Sequence, residues 1–318
     1  MISGRAYAFN HMDTFLAGAT IKVREFPKLS AITNASGDYT LELPDDANVT
    51  PYIEPPDGYN QIDLQTFHTR GKDIENANFQ TPADFEYGAL SAILGVPIGP
   101  DGRPEQCVIV TTASARNVRG VPYETFHERT PHGVAGATAG TLPEVPGPTY
   151  FNEFVIPDPS ETSTSEDGGI VWTEVPAGTY RIWALHPTTR FSSFLATCEK
   201  GRVVNANPPW GTYELAPGEA PLGASIVASS VSDVGIKRSG GDRRVVVELD
   251  SAEAITVRAG LRQDGKRIGG VTKEVGPGVD SVTIPVRESA EGKAEVRIKL
   301  RDAAADKVVE TVKVKLPS

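Results

Sequence analysis

Three histidines in irregular segments are candidate metal ligands or catalytic groups. They are His68, His127 and His132, the last two accompanied by Glu128 in the segment 124–133. Neutral imidazoles and a carboxylate are ligands that zinc and iron accept, so loops that bring them together would form a metal-dependent catalytic site. Pro131 excludes a regular helical pair of histidines, and the spacing matches no standard metal motif. We therefore expect hydrogen-bonded or exposed loop histidines and no cofactor, with a metal-dependent enzyme as the alternative.

A second group of candidates is aromatic. Trp183 falls on the opposite strand face from Tyr180 and lies beside Arg181, and Trp210 follows two prolines in an Asn-rich loop. Exposed rings next to arginine and asparagine could stack on sugars, which would make the chain a carbohydrate-binding protein. The other interpretation is that these rings seal an interface between neighbouring modules, and we favour it.

The chain has two cysteines, Cys107 and Cys198, which do not form a Cys-x-x-Cys pair. Both fall in the segment that we assign to one module, so either a single disulfide or two buried thiols fits the sequence. No signal peptide is visible at the N-terminus. We nevertheless expect an extracellular or cell-envelope location.

Composition favours short strands over helices. The 318 residues include 31 Gly and 25 Pro, which is typical of strands joined by turns, and no apolar stretch is long enough for a membrane-spanning helix. The formal net charge of −10 argues against a nucleic-acid partner. A polysaccharide or a cell-surface protein is the partner that we expect.

Charge and aromatic content change sharply near residue 224. From there onward the chain carries 17 basic and 14 acidic residues and no Phe, Trp or Tyr. The segment before it carries 14 basic and 27 acidic residues. Such a change indicates a domain boundary, which we place in the Pro/Gly-rich loop 216–224.

A sequence pattern occurs twice before that boundary. Leu16-Ala-Gly-Ala-Thr20 precedes the segment 33–44, and Val134-Ala-Gly-Ala-Thr138 precedes the segment 164–187. Both later segments begin with Thr-x-x-x-Gly and continue with alternating apolar residues, which predicts a strand with one buried face. The second segment continues through a Pro-x-Gly turn into another strand. Two related β-modules are therefore predicted.

These residues resemble the carboxypeptidase regulatory-like domain, a small transthyretin-like (prealbumin-like) β-sandwich. The resemblance covers residues 1–58 and 105–215 and is carried by Gly4, Gly18, Gly37, Tyr39 and Leu41 in the first copy and by Gly136, Gly168, Trp172, Pro176, Gly178 and Tyr180 in the second. It implies two such sandwiches, at 1–104 and 105–220. In this family the domain is usually a non-catalytic accessory or adhesive module.

One helix and a third sandwich complete the expected all-β architecture. The segment 81–95 predicts a short linking helix with Thr81 as its cap, Gly95 at its end and Phe85, Ala89, Ile93 and Leu94 towards the sheets. Five runs of alternating apolar residues between 243 and 316 predict an immunoglobulin-like or fibronectin-like sandwich over 224–318. The whole is expected to act as a non-catalytic binding or adhesive protein.

Overall fold

The described part of the protein is largely β-structure and contains one α-helix. The computed structural model describes residues 1–45, 47–69, 71, 73–119, 121, 125, 128–217, 219, 230–239, 242–251, 255–275, 278–287, 289–301 and 307–316. The chain divides into two compact units, Met1–Val227 and Ala228–Ser318. Among the described residues, no helix is long and apolar enough to cross a membrane. The predicted all-β class is confirmed.

The described residues of the first half of unit 1 form nine strands. They are β1 (Ile2–Ala8), β2 (His11–Phe15), β3 (Thr20–Val23), β4 (Ser30–Ile32), β5 (Asp38–Leu41), β6 (Asn48–Val49), β7 (Pro51–Glu54), β8 (Phe67–His68) and β9 (Phe79–Thr81). One sheet pairs β1 with β2, β5 and β9, and another has the order β4-β3-β7. Alternating side chains such as Ile21, Ile53 and Tyr39 point into a common core.

The second half of unit 1 begins with the helix. Its elements are α1 (Asp84–Leu94), β10 (Cys107–Thr112), β11 (Thr138–Leu142), β12 (Thr149–Phe151), β13 (Pro157–Asp158), β14 (Gly169–Val175), β15 (Gly178–Leu185), β16 (Arg190–Phe191), β17 (Phe194–Cys198), β18 (Val203–Ala206) and β19 (Glu214–Leu215). The sheets have the orders β13-β12-β14-β10-β18 and β11-β15-β17, with β16 paired to β19. Trp172, Tyr180 and Ile182 share the core between them, as the alternating pattern predicts.

The two halves repeat the same strand pairing. In each, the first strand pairs antiparallel with the strand after the Thr-x-x-x-Gly turn, as β1 with β5 and β10 with β14. In each, the first strand also pairs in parallel with a strand near the end of that half, as β1 with β9 and β10 with β18. The two predicted copies therefore share a pairing scheme as well as a sequence pattern.

A buried threonine fixes the turn in both copies. Its hydroxyl donates to the carbonyl of the residue before the Ala-Gly-Ala-Thr segment and accepts a backbone N–H from within that segment, so the glycine between them is held at positive φ. In the first copy, Thr33 Oγ1 bonds the Leu16 carbonyl (2.5 Å) and the Ala19 N–H (2.9 Å), and Gly18 has a φ of 75°. In the second copy, Thr164 Oγ1 bonds the Val134 carbonyl (2.6 Å) and the Ala137 N–H (2.9 Å), and Gly136 has a φ of 81°. The repeated threonine and glycine thus have a role in chain reversal.

The halves are joined by backbone pairing at Asp63. Its N–H donates to the Val203 carbonyl (2.8 Å) and its carbonyl accepts the Asn205 N–H (2.8 Å), so it extends the sheet of the second half. The next residue, Leu64, donates its N–H to the Pro51 carbonyl of β7 (2.8 Å). The segment around Asp63 therefore joins the sheets of both halves, and the expected boundary at 104/105 lies inside one compact unit.

The Asp63 side chain is also buried, at 1% exposed. Arg24 binds it through two hydrogen bonds, Nε to Oδ2 (2.9 Å) and Nη2 to Oδ1 (2.6 Å), and Arg202 Nε lies 3.7 Å from Oδ2. Burial raises the pKa of the Asp63 carboxyl, and the bonds from Arg24 oppose that shift. The junction thus contains a desolvated carboxylate that depends on its arginine partners.

Unit 2 is a sandwich of two antiparallel sheets. Its strands are β20 (Ser230–Ser239), β21 (Asp242–Ser251), β22 (Ile255–Gln263), β23 (Lys266–Val275), β24 (Gly278–Val286), β25 (Gly292–Arg301) and β26 (Lys307–Leu316). The sheet orders are β20-β21-β24 and β23-β22-β25-β26, around a core of aliphatic side chains such as Val247, Leu261 and Ile298. This arrangement matches the expected immunoglobulin-like or fibronectin-like sandwich.

The predicted helix exists, but its orientation was wrong. It begins at Asp84 and ends at Gly95, which has a φ of 64°, whereas Thr81 belongs to β9. Phe85 and Ile93 are 73% and 55% exposed, and Ala89 is exposed as well. The buried helix residue is Ser91, and Leu94 packs against the neighbouring sheet. Because the polar residue Ser91 lies on the buried face of the helix, that face is hardly more apolar than the exposed one. The periodicity of apolar residues therefore predicted the wrong face.

Candidate functional site

A cavity of about 200 Å³ lies in unit 1 beside α1. The outer face of the sheet formed by β14, β10 and β18 provides one wall, and the buried side of α1 provides the other. The apolar lining includes Leu90 and Leu94 of the helix and Val108, Val110, Val171 and Val203 of the strands. This sheet is therefore buried on both faces, with the core of the second half on one side and the helix and cavity on the other.

Polar groups also line the cavity. Asp167 and His132 belong to the turn and loop next to β14, and Asn205 belongs to β18. The Asp167 carboxylate accepts the Gly169 N–H (3.1 Å), and Asn205 Oδ1 accepts a hydrogen bond from the Asn207 side chain (2.7 Å). The cavity is therefore amphipathic, with aliphatic walls and a carboxylate at its boundary.

Partial burial changes the acidity of Asp167. Desolvation raises the pKa of this carboxyl, and both the Gly169 N–H and the charge of His132 oppose the rise. Such a carboxylate gains from a hydrogen-bond donor or a cation that enters the cavity. Two close contacts position the Asp167 turn, one with backbone and one with the Asp167 carboxylate. A Cβ on Gly133 would lie 2.2 Å from the Gly168 Cα, and a Cβ on Gly169 would lie 2.6 Å from Asp167 Oδ2.

An apolar loop lies next to the cavity. Phe154, Val155 and Ile156 connect β12 to β13, and all three side chains are exposed. Val155 also lines the cavity and adopts a φ of 62°, a conformation that is costly for a β-branched residue. Backbone strain of this kind persists where the surrounding structure imposes it. The loop gives the cavity an apolar rim.

The three candidate histidines have different environments. His68 lies in β8, where its Nδ1 is 2.7 Å from Asn48 Oδ1, and it does not line the cavity. His132 lines the cavity beside Asp167, and Glu128 is exposed. His127 lies outside the described residues. In the part of the chain that the structure describes, no group of three or more His, Cys, Asp and Glu side chains could hold a metal ion.

Trp210 and Arg181 are not exposed, although the sugar-binding alternative requires exposed side chains there. Trp210 is 6% exposed and belongs to the core of the first half, where its ring meets Phe67 edge-on at 5.0 Å. Its Nε1–H donates to the Glu75 carbonyl (2.8 Å). Arg181 is buried, at 6% exposed. Trp210 instead has the interface-sealing role that the favoured interpretation gave it.

Trp183 is half-buried over the neighbouring strand. Its cross-strand partner is Gly140, and a Cβ at that glycine would lie 2.3 Å from Trp183 Cζ2. The ring therefore packs on a backbone that only glycine leaves uncovered. Part of the Trp183 side chain remains accessible.

Cys107 and Cys198 form a disulfide. Their Cα atoms are 5.6 Å apart, and the bond closes a sequence separation of 91 residues. Cys107 starts β10 and Cys198 ends β17, so the bond joins the two sheets of the second half. The disulfide lies in the core on the opposite side of β10 from the cavity.

Sequence reasoning found His132 but not the cavity. The available signal was the unbroken apolar run Cys107-Val-Ile-Val110, since a strand with one solvated face would alternate. A second such run is Ile170-Val-Trp172. These runs indicate strands buried on both faces, but they do not show which element covers the second face.

Comparisons with known proteins yield remote likenesses only. No family model matches the chain, and no curated protein matches it. It is similar to a DUF3823 family protein from Bacteroides ovatus (12% identity, 66% of this chain and 99% of that chain, TM-score 0.20). It is also similar to the major pilin subunit of Bacillus cereus (12%, 67% and 69%, TM-score 0.19) and to a tandem repeat of a large adhesion protein (12%, 99% and 74%, TM-score 0.22). At such low TM-scores these likenesses carry no argument about activity or partners.

Proposed function

We propose that this chain is an exported, non-catalytic binding protein whose unit 1 holds a small amphipathic molecule in the cavity beside α1. The observation that carries the proposal is the cavity itself, because a sheet covered on both faces still leaves about 200 Å³ lined by aliphatic side chains. The surrounding double sandwich serves as a rigid frame for this site. Unit 2 is a further module of the same binding protein.

The family assignment belongs to the same proposal. We infer that unit 1 consists of two carboxypeptidase regulatory-like sandwiches fused edge to edge. The repeated strand pairing and the equivalent roles of Thr33 and Thr164 support this assignment. A non-catalytic accessory role is usual in that family. It agrees with a cavity whose walls are mainly aliphatic and whose polar lining includes His132 and Asp167.

The size of the cavity limits the ligand. An engineered apolar cavity of about 150 Å³ in another protein binds benzene, so about 200 Å³ suits one substituted ring or a chain of about six to eight carbons. The ligand should carry a donor or a positive charge at one end, because Asp167 offers an acceptor there. An aliphatic or aromatic amine or alcohol meets both requirements.

Export is supported by the disulfide. Disulfides persist in oxidising compartments and are rare in the cytosol, so the Cys107–Cys198 bond indicates an extracellular or cell-envelope location. In its native host, the protein should occur in envelope or secreted fractions with cysteines that react with an alkylating agent only after reduction. Cytoplasmic protein with freely alkylated cysteines would contradict this part of the proposal.

The binding site is tested with an alkyl series on the full chain. We expect n-alkylamines to bind in isothermal titration, with Kd falling about fourfold per methylene, since each buried CH₂ contributes about 0.8 kcal/mol. The gain should stop near the chain length that fills the cavity. Amines should bind more tightly than carboxylates of equal length, and amine binding should weaken as acid protonates Asp167.

Two variants locate the ligand. Asp167→Asn should remove the preference for amines over carboxylates, whereas Asp158→Asn, at a carboxylate of β13 that does not line the cavity, should keep it. Val110→Trp should fill the cavity and abolish binding of the whole series. Binding that is unchanged in Val110→Trp, or no saturable binding of any amine at millimolar concentration, would overturn the proposed site.

A further inference from the structure

The outer face of one sheet of unit 2 concentrates positive charge. In β23-β22-β25-β26 the side chains of Val257, Leu261 and Ile298 point into the core, so the residues that alternate with them point outward. The described basic side chains at these outward positions are all exposed: Arg258 and Arg262 of β22, Arg267 of β23, Lys293, Arg297 and Lys299 of β25, and Lys313 and Lys315 of β26. We call this surface the basic face.

Few acidic residues interrupt the basic face. Its described outward positions include two carboxylates, Glu274 at one edge and Glu295 between Arg262 and Lys313 in the strand register. Eight basic side chains against two acidic ones stand out in a chain whose net charge is −10. Positive charges concentrated on one face in this way indicate a surface that binds an anionic ligand.

The basic face is flat where β22 pairs with the edge strand β23. Gly260 and Gly270 are cross-strand partners at outward positions, so neither contributes a side chain of its own to this surface. The Arg267 guanidinium lies over this pair, since a Cβ on Gly270 would lie 2.2 Å from Arg267 Nη2. Arg267 Nε also donates to the Gly269 carbonyl (3.3 Å). An extended ligand could therefore cross the strands without a steric barrier.

The spacing of the charges suits a polymer. Neighbouring strands are about 4.8 Å apart, and outward residues along one strand are about 6.7 Å apart. Cationic groups recur at these two spacings over four strands, which fits a ligand that carries a charge on each repeating unit. A single small anion would need only one or two of them.

The amino-acid composition of unit 2 limits the chemical class of the ligand that the basic face can bind. Residues 224–318 contain no Phe, Trp, Tyr or His. Binding of single-stranded nucleic acid normally combines positive charge with aromatic stacking of the bases, and neutral sugars are also recognised largely through stacking. A face that has charge without aromatic rings recognises its ligand through its anionic groups.

We propose that the basic face of unit 2 binds an acidic polysaccharide. This rests on the proposed function for one point, export, because the disulfide supports a compartment where extracellular glycans are met. The contacts are salt-dependent pairs between lysine or arginine and carboxylate or sulfate groups along the polymer. The cavity in unit 1 takes no part in them.

The test compares polymers on the intact chain. Polygalacturonate and dextran sulfate should bind in titrations at low salt, and neutral dextran should not. Log K should fall linearly with log salt concentration, by about 0.7 for each ion contact, as for a single-stranded polyanion. Arg297→Glu combined with Lys313→Glu should raise Kd about tenfold or more and make this slope shallower by about 1.4, since two contacts are lost.

A matched variant controls for net charge. Lys237→Glu combined with Arg287→Glu makes the same charge change on strand β20 and after β24, which belong to the opposite sheet. It should leave the Kd within about twofold of the unmodified protein. Equal weakening by both double variants, or no binding of either acidic polysaccharide, would overturn the proposal.

Other polyanions provide the competing outcomes. Tenfold tighter binding of single-stranded DNA or of phosphatidylglycerol vesicles at equal anion concentration would replace the polysaccharide with that class. Self-association in sedimentation that is lost in Arg297→Glu with Lys313→Glu, without polysaccharide binding, would identify the acidic unit 1 of a second copy as the partner. Amine binding to that double variant should be unchanged, so failure here is distinguishable from failure of the cavity proposal.

Discussion

Replacing Asp63 tests the junction between the two halves of unit 1. Asp63→Asn keeps the shape and the backbone pairing but removes the charge that Arg24 binds through two hydrogen bonds of 2.6 and 2.9 Å. Breaking a buried ion pair by removing one partner costs about 3–5 kcal/mol, because the other charge stays desolvated. The Arg24 side chain is 24% exposed and keeps part of its hydration, so we expect about 3 kcal/mol, the lower end of that range.

The assay is urea unfolding of the full chain followed by tryptophan fluorescence. All three tryptophans lie in unit 1, so the signal reports this unit without interference from unit 2. The control is Lys22→Met, which breaks a solvent-accessible pair with Glu54 (2.8 Å) and should cost much less, because water screens the two charges. If Asp63→Asn costs no more than Lys22→Met, the junction does not depend on this ion pair and the reasoning is refuted.

Two further predictions concern unit 1. Reducing the Cys107–Cys198 bond should lower its free energy of unfolding by about 4–5 kcal/mol, because the closed loop spans 91 residues, and an unchanged urea midpoint in dithiothreitol would contradict this. Gly88→Ala should stabilise the protein by about 0.5–1 kcal/mol, since Gly88 is in the helix with open space around it, whereas Gly133→Ala should destabilise it by several times that amount because its Cβ would meet the Gly168 backbone. Thermal unfolding of this pair of variants checks both signs, and a stabilised Gly133→Ala would show that the close backbone contact is wrong.

Local patterns predicted the elements and the repeat because their causes are local. A period of two places Tyr180, Ile182 and Ala184 on one strand face whatever surrounds them, and all three lie in the core. The threonine and glycine of each turn act within one loop, so the pattern that repeats in sequence repeats in the hydrogen bonds. Asp264-Gly265 between β22 and β23 is a hairpin turn of the same local kind.

The cavity and the basic face depend on how distant elements pair. Nothing near Asp63 in sequence indicates that it pairs with β18, about 140 residues later. The sequence near Trp210 does not show what buries it, because its aromatic partner, Phe67, comes from the other half. The basic residues of unit 2 are visible in the sequence, but only the strand register gathers Arg262, Arg297 and Lys313 on one surface.

The position of Trp210 in the core of the first half affects how the chain can fold during synthesis. A ribosome delivers residues in order, and domains generally fold as they emerge. The first half cannot complete its core until residue 210 has left the exit tunnel. Its apolar surface therefore stays exposed while more than a hundred residues after residue 104 are translated. Shortened products that end near residue 104 would lack this indole and the pairing of Asp63, and they should be substrates for chaperones and proteases.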